Sequence, residues 1–361
     1  MRFSILFCAH SLIGLSQAAY NLVDDYNAGN FYQQFTFFSG DDPTHGYVNY
    51  LDQGAAQSRG LVSTANNVIY MGVDSTNVGS GRGRSSVRVH SNKAYDRGLI
   101  ITDVEHMPGG ICGTWPAFWT FGPDWPNNGE IDIIEGVHEQ SGNLMALHTR
   151  SGCSINNGGF TGNLQTPNCD VNAPGQSPNT GCTITSSDGR SYGRGFNANG
   201  GGVYATEISA SAVTIWFFPR NAIPGDIGAG TPNPGAWPTP MAKFQGACDI
   251  SSHIRRQNIV FDTTFCGDWA GNVWSTSSCA GRAATCQEFV QNNPSEFREA
   301  YWRVKYVRVF QDGAAARTRD VVGNLTSTGE SDTPAPGEAS PSAPSYQHRH
   351  SHRHERQGHG H

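Results

Sequence analysis

The sequence predicts an all-β fold, on three observations. Short segments of β-type composition recur along the chain with turns between them. The 44 glycines cluster with Asn, Ser and Thr in loop-like stretches. Helix-forming Lys and Glu are sparse, and charged residues make up only 15% of the chain.

In chain order the strand segments are 46–50, 68–73, 86–90, 99–103, 131–135, 144–149, 203–208, 213–218, 258–263 and 301–311. Each is rich in β-branched or aromatic residues bounded by turn formers. In the last, strict alternation puts Tyr301, Arg303, Lys305, Val307 and Val309 on one face and Trp302, Val304, Tyr306, Arg308 and Phe310 on the other. That alternation is imperfect, which implies partial cover on both faces. Two short helices are expected, over 285–290 and over 294–299, the second with Pro294 in its first turn. Loops at 150–202 and 220–248 are rich in Gly, Asn and Pro and carry four cysteines.

The ends read differently from the body. Met1-Arg2, the apolar stretch from Phe3 to Gly14 and the small-x-small site Ser16-Gln17-Ala18 are the pattern of a signal peptide over 1–18. The body, 19–312, has the length of one large sandwich. From Gly313 to His361 the composition turns to Ala, Ser, Thr, Pro and Gly, the signature of a disordered tail. Its histidines, His348, His350, His352, His354, His359 and His361, read either as a weak transition-metal chelator or as a solvated, pH-responsive tail. The one N-glycosylation sequon begins at Asn324.

Leaving out Cys8, eight cysteines remain: Cys112, Cys153, Cys169, Cys182, Cys248, Cys266, Cys279 and Cys286. An even number with no Cys-x-x-Cys pair suggests up to four disulfides in an oxidising compartment, not a zinc site. The connectivity stays open. A net charge of −6 argues against nucleic acid or an anionic membrane as partner.

The chemistry concentrates in Glu130-Ile131-Asp132-Ile133-Ile134-Glu135. Side chains alternate along a strand, so Glu130 and Asp132 share a face. Glu135 returns to that face only if one extra residue, a β-bulge near Ile133-Ile134, interrupts the alternation. A helix would spread residues five apart by about 140°. Retaining hydrolysis of a glycosidic bond uses two such carboxyls, one attacking the anomeric carbon and one protonating the leaving oxygen. The central Asp132 is placed to hydrogen-bond one neighbour while its charge raises the pKa of both. Clustered oxygens also suit calcium, the competing reading of the acids. Trp115, Phe118, Trp119 and Trp125 crowd the approach to Glu130, and aromatic faces stack on sugar rings. Phe118 reads better as core. His148, on the expected neighbouring strand, is equally a substrate contact or a satisfied structural histidine.

Gly113-Thr114-Trp115-Pro116-Ala117-Phe118-Trp119 and Trp125-Pro126-Asn127-Asn128-Gly129-Glu130-Ile131-Asp132-Ile133-Ile134-Glu135-Gly136 resemble glycoside hydrolase family 16, in particular its fungal laminarinase-like endo-β-1,3(4)-glucanases. Ser86-Val87-Arg88-Val89, Gly98-Leu99-Ile100-Ile101, Phe265-Cys266-Gly267-Asp268-Trp269-Ala270-Gly271 and Tyr301-Trp302-Arg303-Val304 extend the likeness over nearly all of 20–312. The resemblance implies a concanavalin A-like jelly-roll sandwich with an open cleft on its concave sheet. It implies Glu130 as nucleophile, Glu135 as acid/base and Asp132 as helper. Trp119, Trp125 and Trp269 would line the cleft, with Arg88 and His148 as polar contacts. It implies a secreted monomer acting on β-glucan, with no cofactor needed for catalysis. A structural calcium occurs in the family, but this chain has no dedicated loop signature for it. The motif is one residue longer than the Glu-x-Asp-x-Glu form of the family's transglycosylases and lichenases, which favours the laminarinase-like branch. A wall transglycosylase, a non-catalytic glucan-binding protein and a structural wall protein are the rival readings.

Overall fold

The computed structural model describes residues 20–312. The segment 1–18 read as a signal peptide, Cys8, the Asn324 sequon and the His-rich stretch lie outside the described residues. Two eight-stranded sheets face each other. The front sheet contains β2 (Phe35–Phe37), β7 (Arg88–Tyr95), β9 (Thr114–Phe121), β10 (Glu130–Glu135), β11 (Leu144–His148), β12 (Asn163–Thr166), β13 (Cys182–Thr185) and β17 (Gln257–Phe265). Their spatial order is β12-β13-β11-β10-β9-β17-β7-β2, every pair antiparallel. The back sheet contains β1 (Tyr20–Asn27), β4 (Val62–Ser63), β5 (Ile69–Gly72), β8 (Gly98–His106), β14 (Gly202–Ile208), β15 (Val213–Pro219), β16 (Ala242–Phe244) and β18 (Tyr301–Asp312). A small parallel pair, β3 (Val48–Tyr50) with β6 (Arg84–Ser86), completes the strands. This is the expected all-β jelly roll. No helix among the described residues is long and apolar enough to cross a membrane.

The core forms between the sheets because one side chain in two points inward. Val89, Phe118, Ile131, Met145, Leu147, Ile259 and Phe261 of the front sheet meet Ile100, Val104, Tyr204, Ile215, Trp302 and Val304 of the back sheet. Phe118 is 1% exposed and stacks on Phe261, so it is a core residue as read. Each fully buried side chain of this kind contributes about 1.5–3 kcal/mol.

Three expectations are corrected. The segment 114–121 forms a central strand, though it was read only as an aromatic cluster. The segment 86–90 is split at Val87 into β6 and β7. In β18, Val307 and Val309 share the inner core with Trp302 and Val304. The reason is a bulge: β18 shifts register against β8 on both sides of Val304, which flips the faces downstream. The imperfect alternation of that segment is this bulge. Both expected helical segments exist, as an α-helix over Cys286–Asn292 and a 3₁₀ turn over Pro294–Phe297. Thr285 caps the first through Glu288 N–H at 3.1 Å.

All eight cysteines pair: Cys112–Cys279, Cys153–Cys248, Cys169–Cys182 and Cys266–Cys286. Two of these tie the segment around Trp269 to the end of the sandwich, beside a second apolar cluster that includes Tyr50, Phe265, Trp274 and Phe289. The other two staple the opposite end. Within the 220–248 loop, Ile223, Ile227 and Trp237 cover the outer face of the back sheet over Leu99, Ile101, Trp216 and Phe218. That stretch lies on the far side of the molecule from the acids, so it does not shape a groove around them.

Candidate active site

Glu130, Asp132 and Glu135 share the outer face of the front sheet, and the extra residue sits where expected. Asp132 opposes Ala146 on β11, yet Glu135, three residues on, opposes Leu144. Against β9 the same shift falls between Asp132 and Ile134. Ile131, Ile133 and Ile134 are all fully buried in the core. Two consecutive isoleucines bury on one side, and Glu135 is thereby returned to the acid face. Gly129 immediately precedes the strand with φ +71°; a Cβ there would lie 2.4 Å from the His253 carbonyl oxygen, so only glycine fits.

Each acid has its own partners. The indole N–H of Trp115 donates to Glu135 Oε1 at 2.8 Å. Trp125, in the β9–β10 connection, has its indole beside Glu130. His148 sits directly across from Glu130 on β11, with Nε2 3.2 Å from Asp132 Oδ2. Trp119 pairs with Asp132 in register. The Arg88 guanidinium lies over the Trp119 ring at 5.0 Å and over Phe38 at 4.9 Å. Trp269 packs edge-on against Trp115 at 5.6 Å. Trp115, Trp119, Trp125 and Trp269 all stay half-buried, as groove-lining rings must. The structure therefore gathers Arg88, Trp115, Trp119, Trp125, His148 and Trp269 around one acidic strand, while Phe118 turns into the core.

Burial dominates the electrostatics. Asp132 is 2% exposed and Glu135 9%, while Glu130 keeps partial access. Burial first, then the neighbouring Asp132, pushes Glu130 and Glu135 up to about 8. Burial and Asp262 lift Asp132 well above the ordinary carboxylate range. Asp132 raises both neighbouring glutamates through its charge, the tuning effect expected from the sequence.

A fourth carboxyl was missed. Asp262 on β17 is 6% exposed, opposite Arg88 in register. It accepts from the Tyr50 hydroxyl at 3.1 Å, with the Trp119 indole beside it. Burial holds it at about 6, Arg88 opposing and Asp42 reinforcing the shift. The signal was present: an aspartate ending the run Ile259-Val260-Phe261 is out of place on a buried strand. Asn143 was also missed, since Ser-Gly-Asn reads as a turn. One oxygen or nitrogen each from Glu130, Asp132 and His148 lie within 4.8 Å of one another. Three donors including an imidazole do not match the six to eight oxygens that calcium takes.

Residues 35–310 match the family profile described as "XgeA-like, catalytic GH16 domain". An endo-1,3(4)-beta-glucanase of Arthroderma benhamiae is 51% identical over 319 residues, covering 87% of this chain and 70% of the relative. The chain spans about half the length of other curated relatives that it matches. Laminarinase 16A of Phanerochaete chrysosporium, solved with two β-glucan ligands in donor and acceptor sites, superposes with a TM-score of 0.77 at 46% identity, over 81% of this chain and 100% of that one. An elongating family 16 β-1,3-glucosyltransferase superposes with a TM-score of 0.75 at 43% identity, over the same shares.

Proposed function

The chain belongs to glycoside hydrolase family 16, and from that premise we propose that it is an endo-β-1,3(4)-glucanase that cleaves with retention of configuration. The observation that carries this reading is the bulged strand, which brings three carboxyls to one aromatic-lined face. Glu130, the most accessible of the three, attacks the anomeric carbon and forms a glycosyl-enzyme. Glu135, raised by burial and held by Trp115, protonates the departing glycosidic oxygen and then takes a proton from the incoming water. Asp132, with His148 beside it, tunes the two glutamates through its charge. Trp119, Trp125 and Trp269 stack on sugar rings, and Arg88 orients Trp119. No step requires a cofactor. The four disulfides support an oxidising, extracellular destination, with 19–312 as the catalytic unit between a cleaved leader and a tail.

The test is Glu130→Gln. Laminarin and lichenan hydrolysis should fall by about 10³-fold or more while the thermal transition is kept, and proton NMR of wild-type products should show the β-anomer first. Near-wild-type turnover in the variant would end the assignment. A second reading, transfer to a sugar acceptor, draws support from the elongating glucosyltransferase at 43% identity. Products longer than the starting oligosaccharide would favour it.

A further inference from the structure

A bulge in a central strand has to find partners for the backbone groups that it moves out of the ladder. In β10 one side chain takes two of them. Asn143 donates from Nδ2 to the Ile133 carbonyl at 2.7 Å and accepts at Oδ1 from the Glu135 N–H at 3.0 Å. The carboxamide stands in for a strand residue, bracketing the inserted position on both sides.

Asn143 is itself held. It is 0% exposed and immediately precedes β11. Its N–H donates to Ser191 Oγ at 3.2 Å, and its carbonyl accepts from Ser186 N–H at 2.8 Å. Ser191 Oγ in turn donates to the Asp188 carbonyl at 2.6 Å, and the Tyr204 hydroxyl bonds the Ser191 carbonyl. The 186–191 loop thus fixes the asparagine, and the asparagine fixes the bulge. The residue type follows from the pairing. A carboxamide offers a donor and an acceptor at this reach whatever the pH. A longer Gln overshoots by one carbon. An ionised Asp accepts from Glu135 N–H but has nothing for the Ile133 carbonyl.

We propose that Asn143 is the positioning residue for Glu135: by clamping the β10 bulge it sets where the acid/base carboxyl stands in the groove. This rests on the reading of Glu135 as the acid that protonates the leaving oxygen. Asn143 is fully buried and its carboxamide is spent on the backbone of β10, so its route to the chemistry is through Glu135.

The experiment compares two substrates. Laminarin has a poor leaving group that needs protonation; 2,4-dinitrophenyl β-laminaribioside has one that does not. Asn143→Ala should lower kcat on laminarin by about 10- to 100-fold with KM changed less than about threefold, the size of effect that a misplaced catalytic group produces. Its kcat/KM on the dinitrophenyl glycoside should fall by less than about threefold. Equal losses on both substrates, or none on either, would overturn the proposal. Glu135→Ala is the control. If it spares the dinitrophenyl glycoside and Asn143→Ala does not, the positioning role fails and the acid assignment stands. If Glu135→Ala itself loses equally on both, the acid assignment fails and takes the positioning role with it. Should Asn143→Ala not fold, Asn143→Asp serves. Once protonated it regains the donor for Ile133, so its laminarin activity relative to wild type should rise as pH falls. A ratio that is flat with pH would overturn the proposal.

Discussion

Two of the strands that carry an extra residue, β10 and β18, treat it in opposite ways. In β18 the insertion at Lys305 is met by one at Glu105 on β8, so the pairing is restored within a few residues: Arg303 opposes His106 before it and Tyr306 opposes Asp103 after it. The two extra residues face solvent and pair with each other, Lys305 Nζ to Glu105 Oε1 at 3.3 Å, with Arg303 joining at 3.0 Å. In β10 the insertion is buried and uncompensated. Both neighbours, β9 and β11, stay shifted by one beyond it. The first kind of bulge sits among partly exposed side chains. The second needs a buried carboxamide, and it moves an acid. The difference separates a local irregularity from one on which the site depends.

The largest test of that contrast is deletion of Ile133. The shortened strand reads Glu-Ile-Asp-Ile-Glu, which alternates without a bulge and fits the register of Glu130 with His148 and Asp132 with Ala146. Loss of one buried isoleucine should cost about 2–5 kcal/mol in urea unfolding. Laminarin activity should drop by about 10- to 100-fold yet stay above that of Glu130→Gln, because the three acids still share a face. A folded but dead variant would show that the bulge supplies geometry beyond the shared face. A variant as stable as wild type would erase the contrast with β18.

A middling effect comes from pH. Burial holds Glu135 at about 8, against 4.5 for a free glutamate. Between those values the folded chain binds more protons than the unfolded chain, so stability falls as pH rises through that window. Glu135→Gln removes its share of the loss. The variant should match wild type in Tm near pH 4.5 and exceed it by several degrees near pH 8. Parallel Tm curves across that range would mean that burial is not what perturbs this carboxyl.

How much of this was legible follows from where the cause of each feature lies. The acids, the need for a bulge and its location were readable because charge and alternation are local signals. The β9 strand was not, because Pro116 argues against a central strand. The structure resolves this. The β9–β10 ladder ends at Glu135 and Ala117, so Pro116 has no β10 partner requiring its N–H. Faces in β18 were misassigned beyond Val304 because Lys305 looks like an ordinary outward residue, and only its pairing with Glu105 marks it as inserted. Asp262 gave a weak signal as an acid ending an apolar run. Asn143 gave none, since its partners are backbone groups eight and ten residues away.

The smallest effect closes the comparison from the side of β18. Glu105→Gln removes the charge that both Lys305 and Arg303 use, at side chains that are 26%, 45% and 45% exposed. Exposed pairs of this kind contribute about 0–1 kcal/mol, less as salt rises. The compensating insertions remain, so the register of β18 and the burial of Val307 and Val309 should persist. The expected result is a loss of no more than about 1 kcal/mol in urea unfolding. That loss should shrink toward zero at high salt, with laminarin kcat and KM unchanged. A loss of several kcal/mol, or a change in kcat, would place the β18 bulge in the same class as the β10 bulge. It would mean that compensation in the ladder does not isolate a bulge from the rest of the sandwich.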